Sequence, residues 1–255
     1  MSGKGPSATA RAFAPSSGAQ YKLAYLAQRS PVLAPEAFPQ AWREHSQLAS
    51  SFGTSLGKHF LSSHQCVKHR TDVIDASFAN DYDGSTILGM KSWEDLLAAR
   101  YHPHALDELL EDEKRVFAGP VDDWTMAIEE KALLQGKPTA DVMLSFLTPI
   151  QAADFHTRSL DAAGALVHLL PEASRIVWNR VVDPAPCYPF AAMIEVWLPD
   201  ADTAIAAAGD SQIVRALEQA DLADPLRGAR LLARLNFAKA RDAAAGANGW
   251  SEEST

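Results

Sequence analysis

The apolar residues in the second half of the chain follow two different periods, which alternate along the sequence. Four segments have the two-residue alternation or the β-branched and aromatic content of strands, and two have the apolar spacing of a helix. The predicted strands are 142–147, 174–182, 190–198 and 229–237. The predicted helices are 150–170 and 201–222, the second with a break at Gly209. The order of elements is therefore β-α-β-β-α-β.

The first half of the chain repeats this order. Its predicted strands are 21–29, 59–72, 85–91 and 124–133. Its predicted helices are 35–52 and 93–116, the second interrupted at Pro103. Two such units in tandem match the split βαβ motif used twice. Each unit would form a four-stranded antiparallel sheet with both helices on one face, and the other unit would cover the bare face and enclose a pocket.

Low-complexity segments flank the two units. Residues 1–20 are rich in Ser, Ala, Gly and Pro and show no periodicity, which predicts a disordered arm. The tail, 241–255, has the same character and is predicted to be flexible. Between these segments the chain divides near Gly136, so we place the first unit at 21–136 and the second at 137–240.

The charge balance and the hydropathy exclude two classes of partner. The 255 residues carry 32 acidic and 23 basic side chains, which gives a net charge of −9. A nucleic-acid-binding protein needs a basic surface to displace counterions from phosphates, so we expect no nucleic acid partner. No apolar run reaches the roughly 18 residues of a membrane span, and the polar start lacks a secretory signal. A cytoplasmic protein with no membrane partner is therefore predicted.

No motif in the sequence indicates a cofactor or a metal. The chain has eight histidines, but His59, His64 and His69 alternate between the two faces of a predicted strand and so cannot all reach one ion. The two cysteines, Cys66 and Cys187, do not have metal-ligand spacing. Glycine-rich nucleotide loops and the serine-hydrolase elbow are not found. We therefore predict no metal and no cofactor.

Several short motifs of the first unit occur in an order that is typical of one family. They are Lys22, Arg29-Ser30-Pro31, Pro35-Glu36-Ala37-Phe38, Trp42-Arg43-Glu44-His45, Tyr82-Asp83-Gly84, Ser92-Trp93-Glu94-Asp95-Leu96, Glu111-Asp112-Glu113 and Phe117. With these motifs the first unit resembles the EthD family of the dimeric α+β barrel superfamily. Val32 departs from the glycine that usually follows the proline in that family. The second unit keeps the element order but little of the motif, and its nearest match is Phe155-His156.

The resemblance implies an α+β fold in which two tandem ferredoxin-like units pack sheet to sheet as a dimeric α+β barrel within one chain. The superfamily includes cofactor-free monooxygenases of phenols, a lactone isomerase, and polyketide cyclases, dehydratases and decarboxylases. It also includes haem enzymes with tandem units. Because one fold supports many reactions, the function has to be argued from the residues. Proteins of this fold often dimerise again, so a homodimer is also expected.

Two histidines are the predicted proton carriers. His45 lies three residues after Trp42 on the first predicted helix, so the two side chains share one face. His64 shares a face of the second strand with Phe60 and Cys66. A histidine titrates near neutrality and can give or take a proton, and the resemblance favours His45 in this role. The alternatives are a structural hydrogen bond for His45 and an exposed strand edge for His64.

Four further residues are predicted to bind the substrate. Tyr25 would orient a substrate oxygen if its face of the first strand points inward, and would otherwise pack in the core. Trp42 and Trp178 would form aromatic walls of the pocket, and core packing is the alternative for both. Arg180 would bind a carboxylate or phenolate, with a surface salt bridge as its alternative.

These residues together favour a cofactor-independent enzyme that binds a small, hydrophobic, oxygenated molecule of aromatic or polyketide type. His45 and His64 would transfer protons in a dehydration, another elimination, an isomerisation or a cyclisation, while a tyrosine or Arg180 holds the enolate-like charge. One alternative is a haem enzyme whose axial ligand is His156 or His168. Another alternative is a non-catalytic binder of a hydrophobic metabolite.

Overall fold

The computed structural model describes the greater part of both units. The described residues are 20–51, 59–69, 81–100, 107–135, 142–149, 154–187, 190–220, 229–241 and 250–253. The predicted N-terminal arm apart from Gln20, the predicted boundary at residue 137, the helix interruption at Pro103 and the predicted helix start at Ile150 lie outside these ranges.

The strands of the described residues form one curled antiparallel sheet. In chain order they are β1 (Gln20–Ala27), β2 (Phe60–Lys68), β3 (Gly84–Met90), β4 (Thr125–Leu134), β5 (Val142–Pro149), β6 (Arg175–Asp183), β7 (Phe190–Leu198), β8 (Ala229–Arg241) and β9 (Trp250–Glu253). Their spatial order is β2-β3-β1-β4-β6-β7-β5-β8-β9, and β2 also pairs with β8. Strands β1 to β8 therefore close into a barrel, which confirms the predicted fold class.

The helices pack on the outside of this barrel. They are α1 (Phe38–Ser51), α2 (Trp93–Arg100) and α3 (Asp107–Val116) in the first unit, and α4 (Phe155–Leu169), α5 (Ala201–Gly209) and α6 (Ser211–Gln219) in the second. The predicted break at Gly209 is confirmed. The Asp210 carboxylate begins α6 there by accepting hydrogen bonds from the backbone N–H groups of Gln212 (2.8 Å) and Ile213 (3.2 Å).

The register assigns each strand residue to the inner or the outer face of the barrel. Tyr21 and Leu23 of β1 pack with Leu96 of α2, so this face of the strand lies against the helices. Lys22 and Ala24 point the opposite way, into the barrel, because side chains alternate along a strand. Directly paired residues on neighbouring strands share a face, so the same assignment continues around the barrel.

A β-bulge in β2 changes the face of one residue. The sequence predicted that Phe60 shares a face with His64, but the register shifts between Phe60 and Ser62. Phe60 pairs with Met90 and packs against the outer core, so its predicted face is wrong. A bulge adds one residue to one strand and thereby breaks the alternation. His64 pairs with Ile87 and keeps the inner face.

The segment predicted as a flexible tail contains a strand. β9 pairs antiparallel with residues 238–241 at the end of β8. The pairing of β8 with β5 ends at Arg234, so without β9 this extension would have an unpaired edge. β9 has only four residues, Trp-Ser-Glu-Glu, and carries no apolar alternation that would have predicted it.

Candidate functional site

Charged and polar side chains from both units meet inside the barrel. Lys22 is on the inner face of β1, Glu130 on β4, Asn179 on β6 and Glu195 on β7. Glu130 pairs directly with Asn179, and β6 pairs with β7, so the register brings these positions together. None of the four residues is more than 5% exposed. Polar groups this deeply buried need hydrogen-bond partners.

The ammonium group of Lys22 is the centre of this arrangement. Its Nζ lies 2.5 Å from Glu130 Oε2 and 2.7 Å from Glu195 Oε1, and it donates a hydrogen bond to Asn179 Oδ1 at 3.3 Å. The contacts with Glu195 and Asn179 are hydrogen bonds, and the contact with Glu130 is an ion pair. Burial alone lowers the pKa of Lys22, but the charges of Glu195 and Glu130 outweigh burial and raise this pKa. Lys22 therefore stays charged and is held by the two carboxylates and by Asn179.

Each carboxylate also orients a second side chain. Glu130 Oε1 accepts a hydrogen bond from Arg175 Nη2 at 2.7 Å, and Glu195 Oε2 accepts one from Trp197 Nε1 at 3.3 Å. Burial raises the pKa of Glu130, but Lys22 and Arg175 outweigh burial and lower it, so the carboxylate stays ionised. We name Lys22, Glu130, Arg175 and Glu195 the interior ion cluster.

The guanidinium group of Arg175 has hydrogen-bonding capacity to spare. A guanidinium carries five N–H bonds, whereas among the described residues Arg175 hydrogen-bonds only to Glu130. Its side chain is 18% exposed, compared with 7% for Lys22. Glu130 therefore fixes the orientation of Arg175 and leaves its other N–H groups for a bound molecule.

His64 faces the same interior. It pairs with Ile87 of β3 and Ala238 of β8, and its ring centroid lies 5.7 Å from that of Trp197 with the planes at 62°. Burial lowers the pKa of His64 to about 4, and the positive charge of Lys22 contributes to this shift. The imidazole is therefore neutral at pH 7 and able to accept a proton.

Three side chains are thus presented to the interior by a set of buried supports. An oxygen atom can accept hydrogen bonds from Arg175 and a proton can pass to His64, while Trp197, which is 2% exposed, packs beside His64. Lys22 acts indirectly, because it holds the two carboxylates that orient Arg175 and Trp197. This is the chemistry of proton transfer beside a stabilised oxyanion.

His45 lies outside the barrel, between α1 and α3. Its Nδ1 is 2.9 Å from Asp112 Oδ2, and its ring centroid is 5.2 Å from that of Phe117. Burial lowers the pKa of His45. His45 and His64 are therefore on opposite sides of the sheet, and the structure does not bring the two predicted proton carriers together. The structural hydrogen bond, which was the alternative for His45, is the arrangement present.

Tyr25 and Trp42 also lie on the outer face. Their ring centroids are 6.2 Å apart, and Trp42 Nε1 donates a hydrogen bond to the Tyr25 hydroxyl group at 3.4 Å. Trp42 stacks on Phe38 at 5.0 Å, and Phe117 packs against both Tyr25 and Trp42. Tyr25 is on the face of β1 that meets the helices, so both residues fill the core between α1 and the sheet. Both residues were predicted to line the pocket, but in the structure they pack in the core, which was the alternative for each.

Trp178 and Arg180 point to the outer face of the second unit. Trp178 Nε1 donates a hydrogen bond to Ser159 Oγ of α4 at 2.9 Å, and Arg180 Nε lies 3.8 Å from Glu129 Oε2. Asn179, between them in the sequence, is the residue that points inward. Trp178 and Arg180 were predicted to line the pocket, but the residue between them points inward instead, because successive residues of a strand point to opposite faces.

The interior ion cluster was not predicted from the sequence. Lys22 and Glu195 each interrupt a strand that is otherwise buried, Glu130 is the last residue of the buried part of β4, and Arg175 begins β6. A charged side chain within an apolar strand was the signal available, since such a group is buried only when it is paired. Their pairing across four strands could not be read from the sequence.

The histidines of the haem alternative lie away from the interior ion cluster. The His156 ring is 3.9 Å from Phe155 and 6.1 Å from Trp178, which is on the outer face, and His168 is exposed on α4. Within the part of the chain that the structure describes, no group of three or more His, Cys, Asp or Glu side chains could hold a metal ion.

The closed antiparallel sheet with helices outside defines a dimeric α+β barrel formed by one chain. Solved structures share this fold. An anthrone oxidase-like protein matches with a TM-score of 0.59 and 11% identity, over 88% of this chain and 94% of that one. A candidate monooxygenase from Fusobacterium nucleatum matches with a TM-score of 0.54 and 5% identity, over 93% of this chain and 97% of that one.

Identities this low show the fold alone. No family model matches the chain, and no curated protein matches it. Membership of the EthD family therefore stays a prediction. In the described ranges, no helix is both long enough and apolar enough to cross a membrane.

Proposed function

We propose that this protein is an enzyme that removes a proton from a small oxygenated aromatic molecule inside the barrel, without a cofactor. The observation that carries the proposal is the grouping of His64, Trp197 and Arg175 on the inner face beside buried supports. Loss of a proton next to a carbonyl group begins the isomerisations, cyclisations and dehydrations that the sequence favoured.

Arg175 and Trp197 bind the substrate in this proposal. The ring of the substrate packs against Trp197, whose indole N–H is held by Glu195 at 3.3 Å. The carbonyl oxygen accepts a hydrogen bond from Arg175, and this oxygen gains negative charge as the proton leaves. A preorganised donor at the position where charge develops stabilises the transition state more than the ground state.

His64 is the proton acceptor. With a pKa of about 4 its imidazole is neutral and available, but it is a weak base before substrate binds. An enolate forming within the barrel is an opposite charge close to the imidazolium, and such a charge raises the pKa of a histidine. Proton transfer is therefore favoured only when the developing anion is also held by Arg175.

Oxidation by molecular oxygen is a second candidate function. The observation that favours it is the shared fold of the protein named anthrone oxidase-like. The methylene group of anthrone is acidified by its neighbouring rings and carbonyl group, and its loss of a proton gives an electron-rich enolate. Both candidates begin with the same proton transfer and differ in the consumption of oxygen.

Anthrone is therefore the probe for a first test. The protein is incubated with anthrone in D₂O under nitrogen, and deuterium entry at the methylene carbon is followed by NMR. We expect the wild type to accelerate exchange, His64→Gln to lower the rate by about 10²-fold or more, and Arg175→Met to lower it by about 10²–10³-fold. The matched control is His45→Gln, which removes a buried histidine from the outer face and should keep the wild-type rate.

The results separate the candidates. Equal exchange rates for the wild type and His64→Gln would refute the assignment of the base. A wild type that leaves exchange at its spontaneous rate would refute proton abstraction from this class of molecule. Uptake of oxygen in air, with anthrone consumed in parallel, would select oxidation.

A further inference from the structure

The charges of the interior ion cluster are balanced. Lys22 and Arg175 are cations, Glu130 and Glu195 are anions, and each cation lies within 2.7 Å of a carboxylate oxygen. Glu130 is in contact with both cations, and Glu195 is in contact with Lys22. The cluster therefore has no net charge to offer a ligand.

Among the residues that the structure describes, the other groups around His64 leave this balance unchanged. The charged groups that act on it are Lys22 from β1, Glu130 from β4, Arg175 from β6 and Glu195 from β7, the same four residues. Its partners in the register are the apolar side chains of Ile87 and Ala238. Burial lowers the pKa of His64 to about 4, so the imidazole adds no charge at neutral pH.

We propose that the barrel interior selects aromatic ligands that enter as neutral weak acids, such as phenols and enols, over ligands that carry a permanent negative charge. This inference rests on the proposed function, because it takes the interior as the binding site. Arg175 supplies hydrogen bonds to the ligand oxygen, but its charge is already neutralised by Glu130. An ionised carboxylate would be an unpaired charge in a buried space, which is strongly unfavourable.

The unfavourable free energy of burying an anionic ligand is removed when one proton binds with it. A carboxylate is accommodated when it binds together with a proton, on its own oxygen or on His64, because the complex is then neutral. Its observed affinity should fall by about tenfold for each pH unit of increase, the dependence of binding that takes up one proton. A phenol brings its own proton and should bind with no such dependence.

The test compares 2-naphthol with 2-naphthoate by isothermal titration calorimetry between about pH 5.5 and 8, where the first stays protonated and the second stays ionised. We expect the dissociation constant of 2-naphthol to stay within about threefold across this range. We expect binding of 2-naphthoate to weaken by about tenfold per pH unit and to be the poorer of the two at pH 8.

Removing one negative charge should reverse the preference. Glu130→Gln keeps the shape of residue 130 and one of its two acceptor oxygens and leaves the cluster with a net positive charge, so 2-naphthoate should gain about tenfold or more in affinity at pH 8. Glu195→Gln makes the same change on β7 and serves if the first variant does not fold. The matched control is Glu129→Gln. Glu129 is also buried, but it lies on the outer face beside Arg180, so the preference between the two ligands should not change.

Equal, pH-independent binding of the two ligands by the wild type would overturn the inference, and so would the absence of binding by both. An unchanged preference in the two charge-removing variants would also overturn it. These outcomes are separate from a failure of the proposed function. Loss of the deuterium-exchange activity with retained selection of 2-naphthol would leave this inference standing, whereas retained exchange with strong binding of 2-naphthoate would refute this inference alone.

Discussion

Replacing Lys22 with Met tests whether the charges of the interior ion cluster are buried and stabilise one another, as their contacts indicate. The substitution removes the cation that lies 2.5 Å from Glu130 and 2.7 Å from Glu195 and leaves a side chain of similar length. Glu130 would keep its ion pair with Arg175. Within the described part of the chain, Glu195, which is 1% exposed, would keep only neutral hydrogen-bond donors.

The expected loss of stability follows from this asymmetry. Removing one partner of a buried ion pair destabilises a protein by about 3–5 kcal/mol, because the other charge stays buried without compensation. Lys22→Met should therefore lower the free energy of unfolding by this amount at pH 7. Lys22→Met combined with Glu195→Gln should recover at least about half of the loss, since the remaining Arg175–Glu130 pair is neutral overall.

The pH dependence has a defined sign. In the wild type the pKa of Glu130 is lowered, so its contribution is present above the unfolded pKa and is lost as the pH falls through the folded pKa.

Urea unfolding followed by tryptophan fluorescence and by circular dichroism measures these differences between pH 4.5 and 8. The matched control is Lys131→Met, because Lys131 is exposed on the neighbouring position of β4. This control should change the stability by no more than about 0.5 kcal/mol. A Lys22→Met variant within about 1 kcal/mol of the wild type at pH 7, or a double variant less stable than the single one, would refute the reasoning.

Three further predictions concern other parts of the fold. Burial lowers the pKa of His64 below its value of about 6.5 in the unfolded chain, so the buried imidazole opposes folding as the pH falls. His64→Gln should therefore make the free energy of unfolding fall less steeply between pH 7 and 4.5. An unchanged slope would contradict this. A Cβ at Gly84 would lie 2.5 Å from both the Cys66 carbonyl oxygen and Trp42 Cζ3. Gly84→Ala should therefore lower the free energy of unfolding, measured in urea, by about 1–3 kcal/mol. An unchanged free energy of unfolding would show that this contact is loose. Burial raises the pKa of the Cys66 thiol, whereas Cys187 is exposed. A thiol reagent such as DTNB should therefore label Cys187 alone in the native protein. Labelling of two thiols without denaturant would disprove this assignment.

Most of the elements of the barrel could be predicted from the sequence, because the two-residue and helical periods record which side of each element is buried. The order of strands and helices and the break at Gly209 followed from these periods and from local helix-stopping residues. The bulge at Phe60 and the pairing of β9 could not be predicted, since both depend on which strands become neighbours after folding.

The candidate site was predicted only in part, because periodicity tells that two faces exist but not which one lines the barrel. His64 lies on the inner face, whereas Arg180 was chosen although the inward residues of β6 include Asn179 and Arg175. Aromatic residues such as Tyr25 suit a pocket and a core equally well from sequence. Distinguishing them required the contacts with the helices, which link positions far apart in the chain.

The division of the interior ion cluster between the two halves of the chain has a consequence for how the halves recognise each other. Lys22 and Glu130 belong to the first half, and Arg175 and Glu195 belong to the second, so two of the ion pairs cross between them. Two copies of the first half would not supply the carboxylate of β7 or the guanidinium of β6. Two copies of the first half would keep the ion pair of Lys22 with Glu130 but lose both pairs that cross between the halves, so the cluster favours the association of unlike halves over that of like ones.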